Sequence, residues 1–197
     1  MGTTRAEHTS VILPFRARDE SPLSLVHVTS PRPAAKGPVL LVHGAGVRAE
    51  LFRPPVSRTL VDVLLDDGWD VWMLNWRASI DLPPVAWTLA DAAAHDHPAA
   101  VERVLRETGA ETLKAVVHCQ GSTSFTMAAV AGLLPQVDVI VSNAVSLHPV
   151  VPAFSRFKIE RLAPILGRFT PYISPAWGNR SEGYVSRAVR GLVRATH

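Results

Sequence analysis

A single cysteine, Cys119, is all the thiol chemistry available to this chain of 197 residues. No intrachain disulfide can form, which excludes a small secreted scaffold held together by disulfides. There is no apolar run of the roughly 18 residues that a membrane span needs, and the most apolar stretch, residues 126–134, is far shorter. Residues 1–10 are polar and lack the apolar core of a secretory signal, so the expected location is the cytoplasm. A dense basic stripe is also missing. The formal net charge is only +3, most cations are Arg, and apart from Arg180, Arg187, Arg190 and Arg194 they are scattered. That reads as a solvated surface and excludes a nucleic-acid partner. No G-x-G-x-x-G run offers a dinucleotide or flavin site of that kind, so no cofactor is expected. His95 and His97, two residues apart, cannot share a helix face, so no metal is expected, and both read as surface or supporting residues.

What is present is a core. Apolar residues make up 47% of the chain and charged ones 19%, enough apolar side chains for one packed domain with an appendage. Residues 11–15 and 23–29, apolar or β-branched and separated by a polar turn, predict an antiparallel hairpin at a sheet edge. The continuous apolar run 39–42 predicts a strand buried on both faces. It ends at His43-Gly44-Ala45-Gly46. Pro54-Pro55 then suits a first helical turn, with Val56, Leu60, Val63 and Leu64 at helical spacing and Gly68 as the stop. Residues 69–76 predict a second buried strand. Residues 91–108 predict a helix with Val101, Val104 and Leu105 inward, and Pro98 marks its start or a kink. A third strand (113–118), a helix of small and apolar residues (121–134) and a fourth strand (137–145) follow. Strand and helix alternating at this spacing imply a mostly parallel α/β sheet. The expected division is a core over residues 1–150 and a Pro- and aromatic-rich segment over residues 151–197.

The chemistry concentrates at Val116-Val117-His118-Cys119-Gln120-Gly121-Ser122. A buried strand runs straight into a helix of small residues, with Cys119 at the apex of the turn. Such a nucleophile elbow, usually written G-x-S-x-G, lifts its nucleophile out of the sheet and aims the next backbone N–H, here that of Gln120, at a substrate oxygen. The helix N-terminus adds partial positive charge, which favours a thiolate.

These features resemble the α/β-hydrolases, over residues 11–149. His43-Gly44-Ala45-Gly46 is similar to the family's oxyanion loop, residues 68–77 to the next strand and turn, and His118-Cys119-Gln120-Gly121 to the elbow. The Cys-Gln-Gly-Ser-Thr wording and the W-D-V-W-x-x-N-W-R strand resemble two branches in particular. One is the polyhydroxyalkanoate synthases, and the other is the hydrolase-like domain of some actinobacterial cholesterol-oxidase-type flavoproteins. Two positions depart from the pattern. Val117 replaces the first elbow glycine, and Ser122 stands where a further glycine is often found.

The resemblance implies an acyl ester or thioester hydrolase or acyltransferase with Cys119 as nucleophile. Gly44, Ala45, Gly46, Gln120 and Gly121 would form the oxyanion and substrate-binding set, and the substrate would be a small acyl or lipid-like molecule. It also implies a later Asp or Glu and then a His. After Cys119 the acidic residues are Asp138, Glu160 and Glu182, and the histidines are His148 and His197. Asp138 opens its strand, at the wrong end of the sheet. His148 follows that strand at the end where ligands bind, so it is the candidate base, or else a loop histidine before Pro149. With no further strand evident, the hydrolase-like fold is expected to be truncated. The last strand would have an open edge and associate with a partner through the C-terminal side of the sheet. The segment from 151 would begin a lid. The other reading makes Cys119 a small buried residue at a relic elbow, in a binding or interaction domain without catalysis, related to the flavoprotein-fused one.

Overall fold

In a computed structural model, residues 8–147 and 150–169 are described. The chain forms two compact units, Met1–Leu147 and His148–His197.

The first unit is built on one six-stranded sheet. The strands are β1 (Thr9–Arg16), β2 (Pro22–Thr29), β3 (Pro38–Val42), β4 (Asp70–Asn75), β5 (Leu113–His118) and β6 (Val137–Asn143), in the spatial order β1-β2-β4-β3-β5-β6. β1 and β2 pair antiparallel and β2 runs antiparallel to β4, while β3 pairs parallel with β4 and β5, and β5 with β6. This is the expected edge hairpin on a parallel sheet. All five residues of β3 are buried, because helices cover both faces of the sheet centre. On one face Leu40, Val42, Leu74, Trp76, Ala115 and Val117 pack with Phe125 and Val104 from the two long helices α3 (His97–Thr108) and α4 (Cys119–Val130). On the other, Val39, Leu41, Val71 and Met73 pack with Val61 and Leu65 of α1 (Leu60–Asp66). Toward the β6 edge that second face opens, and Val139 and Val141 are exposed.

Two helix expectations need correction. Pro54-Pro55 does not start a helix. A short 3₁₀ turn spans Ala49–Phe52, the prolines lie in a loop, and α1 begins only after Thr59. A reciprocal cap decides the start: Asp62 N–H donates to Thr59 Oγ1, and Thr59 N–H donates to the Asp62 carboxylate at 2.7 Å. The inward face consequently carries Val61 and Leu65, while Val56, Leu60 and Val63 are exposed.

The helix around Pro98 starts earlier than expected and contains an irregular turn. α2 (Leu89–Asp91) leads into a π-helical turn at Ala92–Asp96, in which the N–H of His97 bonds the carbonyl five residues back, that of Ala92. Proline has no N–H and crowds the carbonyl four residues before it, and the widened turn accommodates both defects. Asp96 and His97 follow at its end, and each is fully buried. Asp96 chelates Arg77 through hydrogen bonds of 2.6–3.0 Å to Nε and Nη2 and also accepts the Arg77 backbone N–H; Arg77 Nη2 reaches Asp19 at 2.9 Å. Burial pushes the Asp96 carboxyl up, against the pull of the guanidinium.

In the second unit, α5 (Ala153–Phe157), a π-helical turn (Lys158–Leu162) and α6 (Ala163–Phe169) succeed one another, with Phe154, Phe157, Ile159 and Ile165 exposed. Residues 170–197 of that segment, where the spacing of Val185 to Val193 predicts a last helix, lie outside the described residues. Among those residues no helix is long and apolar enough to cross a membrane.

Removing one partner of a buried ion pair leaves an uncompensated charge, at a cost of about 3–5 kcal/mol. Arg77→Met is therefore expected to lower unfolding free energy by that amount in urea titration, and Arg77→Met/Asp96→Leu to recover most of it. Equal stability of Arg77→Met and the parent would contradict this role for the pair.

Candidate active site

The site forms where β3 and β5 end side by side, since Val42 pairs with Val117 across the parallel ladder. Each strand then turns into a glycine-bearing segment. His118 is extended, Cys119 has φ +54°, and α4 begins at once. A left-handed conformation costs a residue with a side chain on the order of 1–2 kcal/mol. It carries Cys119 out of the sheet, and the thiol is exposed. Cys119 is thus not buried, whereas the reading of a relic turn expected burial.

The tight contact of the elbow falls at Gly121. A Cβ placed there would lie 2.2 Å from the carbonyl oxygen of His43 and 3.0 Å from Val42. Gly44 faces the elbow in the same way, for its Cβ would lie 2.9 Å from Cys119 Cβ and 3.4 Å from Sγ. Two glycines thus let the His43-Gly44 backbone and the elbow touch. Val117, by contrast, points into the core on the α3 and α4 side and is fully buried. The approach is close one helical turn later, so Val117 does not disturb it. Ser122 is also buried, and its hydroxyl bonds that of Ser142 at the end of β6. Thr123 Oγ1 accepts the Ser146 N–H at 3.2 Å, which fastens the segment after β6 to the elbow helix.

The loop after β3 is anchored from below. The His43 carbonyl accepts Trp76 Nε1–H at 2.9 Å, Gly46 N–H donates to Ala78 O, and Ile80 N–H donates to Val47 O, both at 3.0 Å. Asn75 Oδ1, buried at the end of β4, accepts the Ala49 N–H at 2.8 Å and the Ser79 hydroxyl at 2.9 Å. Gln120 N–H lies in the first turn of α4, where no helix carbonyl can reach it. Ala45, half-buried, follows Gly44 in the facing loop.

Neither buried histidine near the elbow is a base at neutral pH. His43 Nδ1 bonds the Gly44 carbonyl at 2.5 Å, yet burial pushes its pKa down to about 4. Of the two readings of His97, surface or supporting, its full burial excludes the first. His97 lies behind the elbow with Nε2 2.7 Å from Ser124 Oγ, and burial, with Arg77 nearby, pushes its pKa down to about 3. Asp138 is at the far end of β6, accepting the Thr112 hydroxyl at 2.7 Å. His148 and Glu182 lie outside the described residues, and Glu160 is in the second unit. The described residues thus bring together Cys119, Gln120, Gly121 and Gly44, and show no group of three His, Cys, Asp or Glu side chains able to hold a metal.

Comparison with known proteins agrees with this geometry. Residues 37–183 match the family model described as alpha/beta hydrolase fold. A probable lipase of Schizosaccharomyces pombe is 29% identical over 168 residues, 76% of this chain and 37% of that protein. Human lipase member K is 32% identical over 108 residues, 48% of this chain and 26% of its own. A solved esterase from Pyrococcus furiosus superposes with a TM-score of 0.56 at 16% identity, covering 84% of this chain and 60% of the other. The chain thus spans about a third of these curated relatives' length or less.

Two predictions follow from the geometry. Gly121→Ala drives a methyl group into backbone and is expected to cost about 3 kcal/mol, and Gly44→Ala, which meets a side chain, rather less; an unchanged urea midpoint for Gly121→Ala would refute the contact. The second concerns pH. Unfolded histidine takes up a proton near pH 6.5, whereas native His43 and His97 resist until about 4 and about 3. Between those limits the unfolded state holds more protons, so stability present at pH 7.5 is lost as pH falls, by about 3 kcal/mol at pH 4 from His43 alone. Urea midpoints taken from pH 7.5 to 4.5 should fall, and fall less in His97→Gln; a flat profile would count against neutral buried histidines.

Proposed function

Since this chain belongs to the α/β-hydrolase fold family, we propose that it carries the acyl-transfer half of an ester or thioester hydrolase, with Cys119 as nucleophile. The observation that carries the reading is the exposed Cys119 at φ +54° on the first turn of α4, with Gly44 packed against its side chain.

In the proposed reaction the Cys119 thiolate attacks the carbonyl carbon. An S–C bond forms, and the developing oxyanion is held by the N–H groups of Gln120 and Ala45. Gly44 and Gly46 let that loop come close. Collapse of the adduct breaks the ester C–O bond, and the departing alkoxide takes a proton from the base. Water, deprotonated by the same base, then breaks the thioester and releases the acid; an alcohol in its place would make the protein an acyltransferase. His148, which follows β6 in the sequence and lies outside the described residues, is our candidate for the base. The substrate class is an acyl ester, and the curated lipases among the relatives favour an apolar acyl chain.

The test is hydrolysis of p-nitrophenyl butyrate and octanoate, and of an acyl thioester, by the parent, Cys119→Ala and His148→Ala. Cys119→Ala is expected to lose roughly 10³-fold or more in kcat/KM. His148→Ala should lose comparably, because base and nucleophile act as a unit. Equal rates for parent and Cys119→Ala would overturn the reading and leave the chain as a hydrolase-like binding domain.

A further inference from the structure

We propose that His97 is a positioning residue for the elbow, holding the first turn of α4 through the hydroxyl of Ser124, which bonds the Gln120 carbonyl, one peptide unit beyond the Gln120 N–H. The inference rests on the reading above, in which the Gln120 N–H receives the oxyanion.

Ser124 stands inside α4, where a serine hydroxyl has a choice of rotamers. Here it turns back onto the helix and donates to the carbonyls of Gln120 at 3.2 Å and Gly121 at 3.3 Å. Such back-bonding competes weakly with the helix's own ladder and is not self-sustaining. His97 fixes it. The ring is fully buried, and its Nε2 lies 2.7 Å from Ser124 Oγ. In the tautomer we assign, Nε2–H donates to Oγ, which leaves the Ser124 proton for the carbonyls. Nδ1 is then a bare acceptor, buried with no partner among the described residues against Trp76 and Phe125, whose rings lie 5.7 and 5.1 Å away. A leucine or phenylalanine would fill this place without an orphaned nitrogen. The polar ring therefore costs stability, and among the described residues its hydrogen bond is to Ser124.

The ring's own position is set by the π-helical turn. Asp96 and His97 are both fully buried at the end of that turn. Asp96 is locked by Arg77, so the backbone bearing His97 is fixed on one side and Pro98 fixes it on the other. The elbow's first turn is in this way held from two directions. The His43 carbonyl blocks movement of Gly121 toward β3, and the His97–Ser124 pair holds the Gln120 and Gly121 carbonyls from behind. An oxyanion donor displaced by a fraction of an ångström loses much of its effect on the transition state.

The experiment pairs kinetics with amide hydrogen exchange in the parent, His97→Phe, His97→Gln, Ser124→Ala and the double variant His97→Phe/Ser124→Ala. His97→Phe keeps volume and removes the donor; Gln retains an N–H at comparable reach. In His97→Phe, kcat for p-nitrophenyl butyrate is expected to fall roughly tenfold with KM within twofold. Ser124→Ala should lose as much, the double variant no more than either, and His97→Gln should recover most of the rate. Exchange across residues 119–125 should quicken roughly tenfold in His97→Phe and Ser124→Ala while that of β3 and β5 is unchanged. Unchanged kcat in both single variants, or additive losses in the double, would overturn the proposal. Ser124→Ala carries the test if His97→Phe does not fold. A parent without hydrolytic activity would overturn the Cys119 reading alone. Exchange needs no activity, and unaltered exchange at 119–125 in Ser124→Ala would overturn the tether.

Discussion

The van der Waals contact between Gly121 and the carbonyl oxygen of His43 constrains everything around it. A Cβ at Gly121 would overlap that oxygen, so the elbow and the loop after β3 meet backbone to backbone. Their meeting fixes the end of β3 relative to the start of α4. With α4 in that position, the chain leaving β5 has one residue in which to turn. Cys119 takes the left-handed conformation that the turn demands and leaves the sheet exposed. Gly44, one residue past His43, then lies against the Cys119 side chain, where even a methyl group would crowd Cβ. The strain at Cys119 and the bare backbone at Gly44 and Gly121 have one geometric cause.

Beneath this contact the protein buries polar groups that its apolar composition would not lead one to expect, and gives most of them partners. Trp76 Nε1–H satisfies the His43 carbonyl, Asn75 fastens two loops, and Arg77 is chelated by Asp96. His43 and His97 stay neutral because burial disfavours their charge. A charged ring beneath the elbow would place a fixed positive charge near the thiol. Neutral rings leave the local field to the N-terminus of α4 and to the backbone N–H groups around it.

The sheet was legible from sequence wherever burial alone decides structure. The run at 39–42 is β3 because both of its faces are covered, and residues 113–118 form β5 with the bounds expected. The elbow was legible because a strand, a nucleophile and a helix of small residues stand in immediate succession. Side-chain capping misled the reading of residues 54–66. Two prolines looked like a helix start, but the Thr59–Asp62 box sets it later and turns Val61 and Leu65 inward. His97 stayed open between a surface and a supporting place, because a 3.6-residue period does not reveal a helix so enclosed that His97 through Val101 are all buried. Val117 looked like a defect because the glycine pattern does not reveal which glycine bears the contact. The elbow's own residues do not tell which histidine would serve a nucleophile there, and the candidate, His148, lies outside the described residues.

The central claim is that Cys119 attacks an acyl carbonyl. It is tested most directly by intact-protein and peptide mass spectrometry after rapid mixing with p-nitrophenyl octanoate and acid quenching. The account predicts a transient mass increase of one octanoyl group, located on the peptide containing Cys119 and absent from Cys119→Ala. Hydrolysis of the ester with no acyl group on Cys119 at any quench time, or the same adduct in Cys119→Ala, would contradict it.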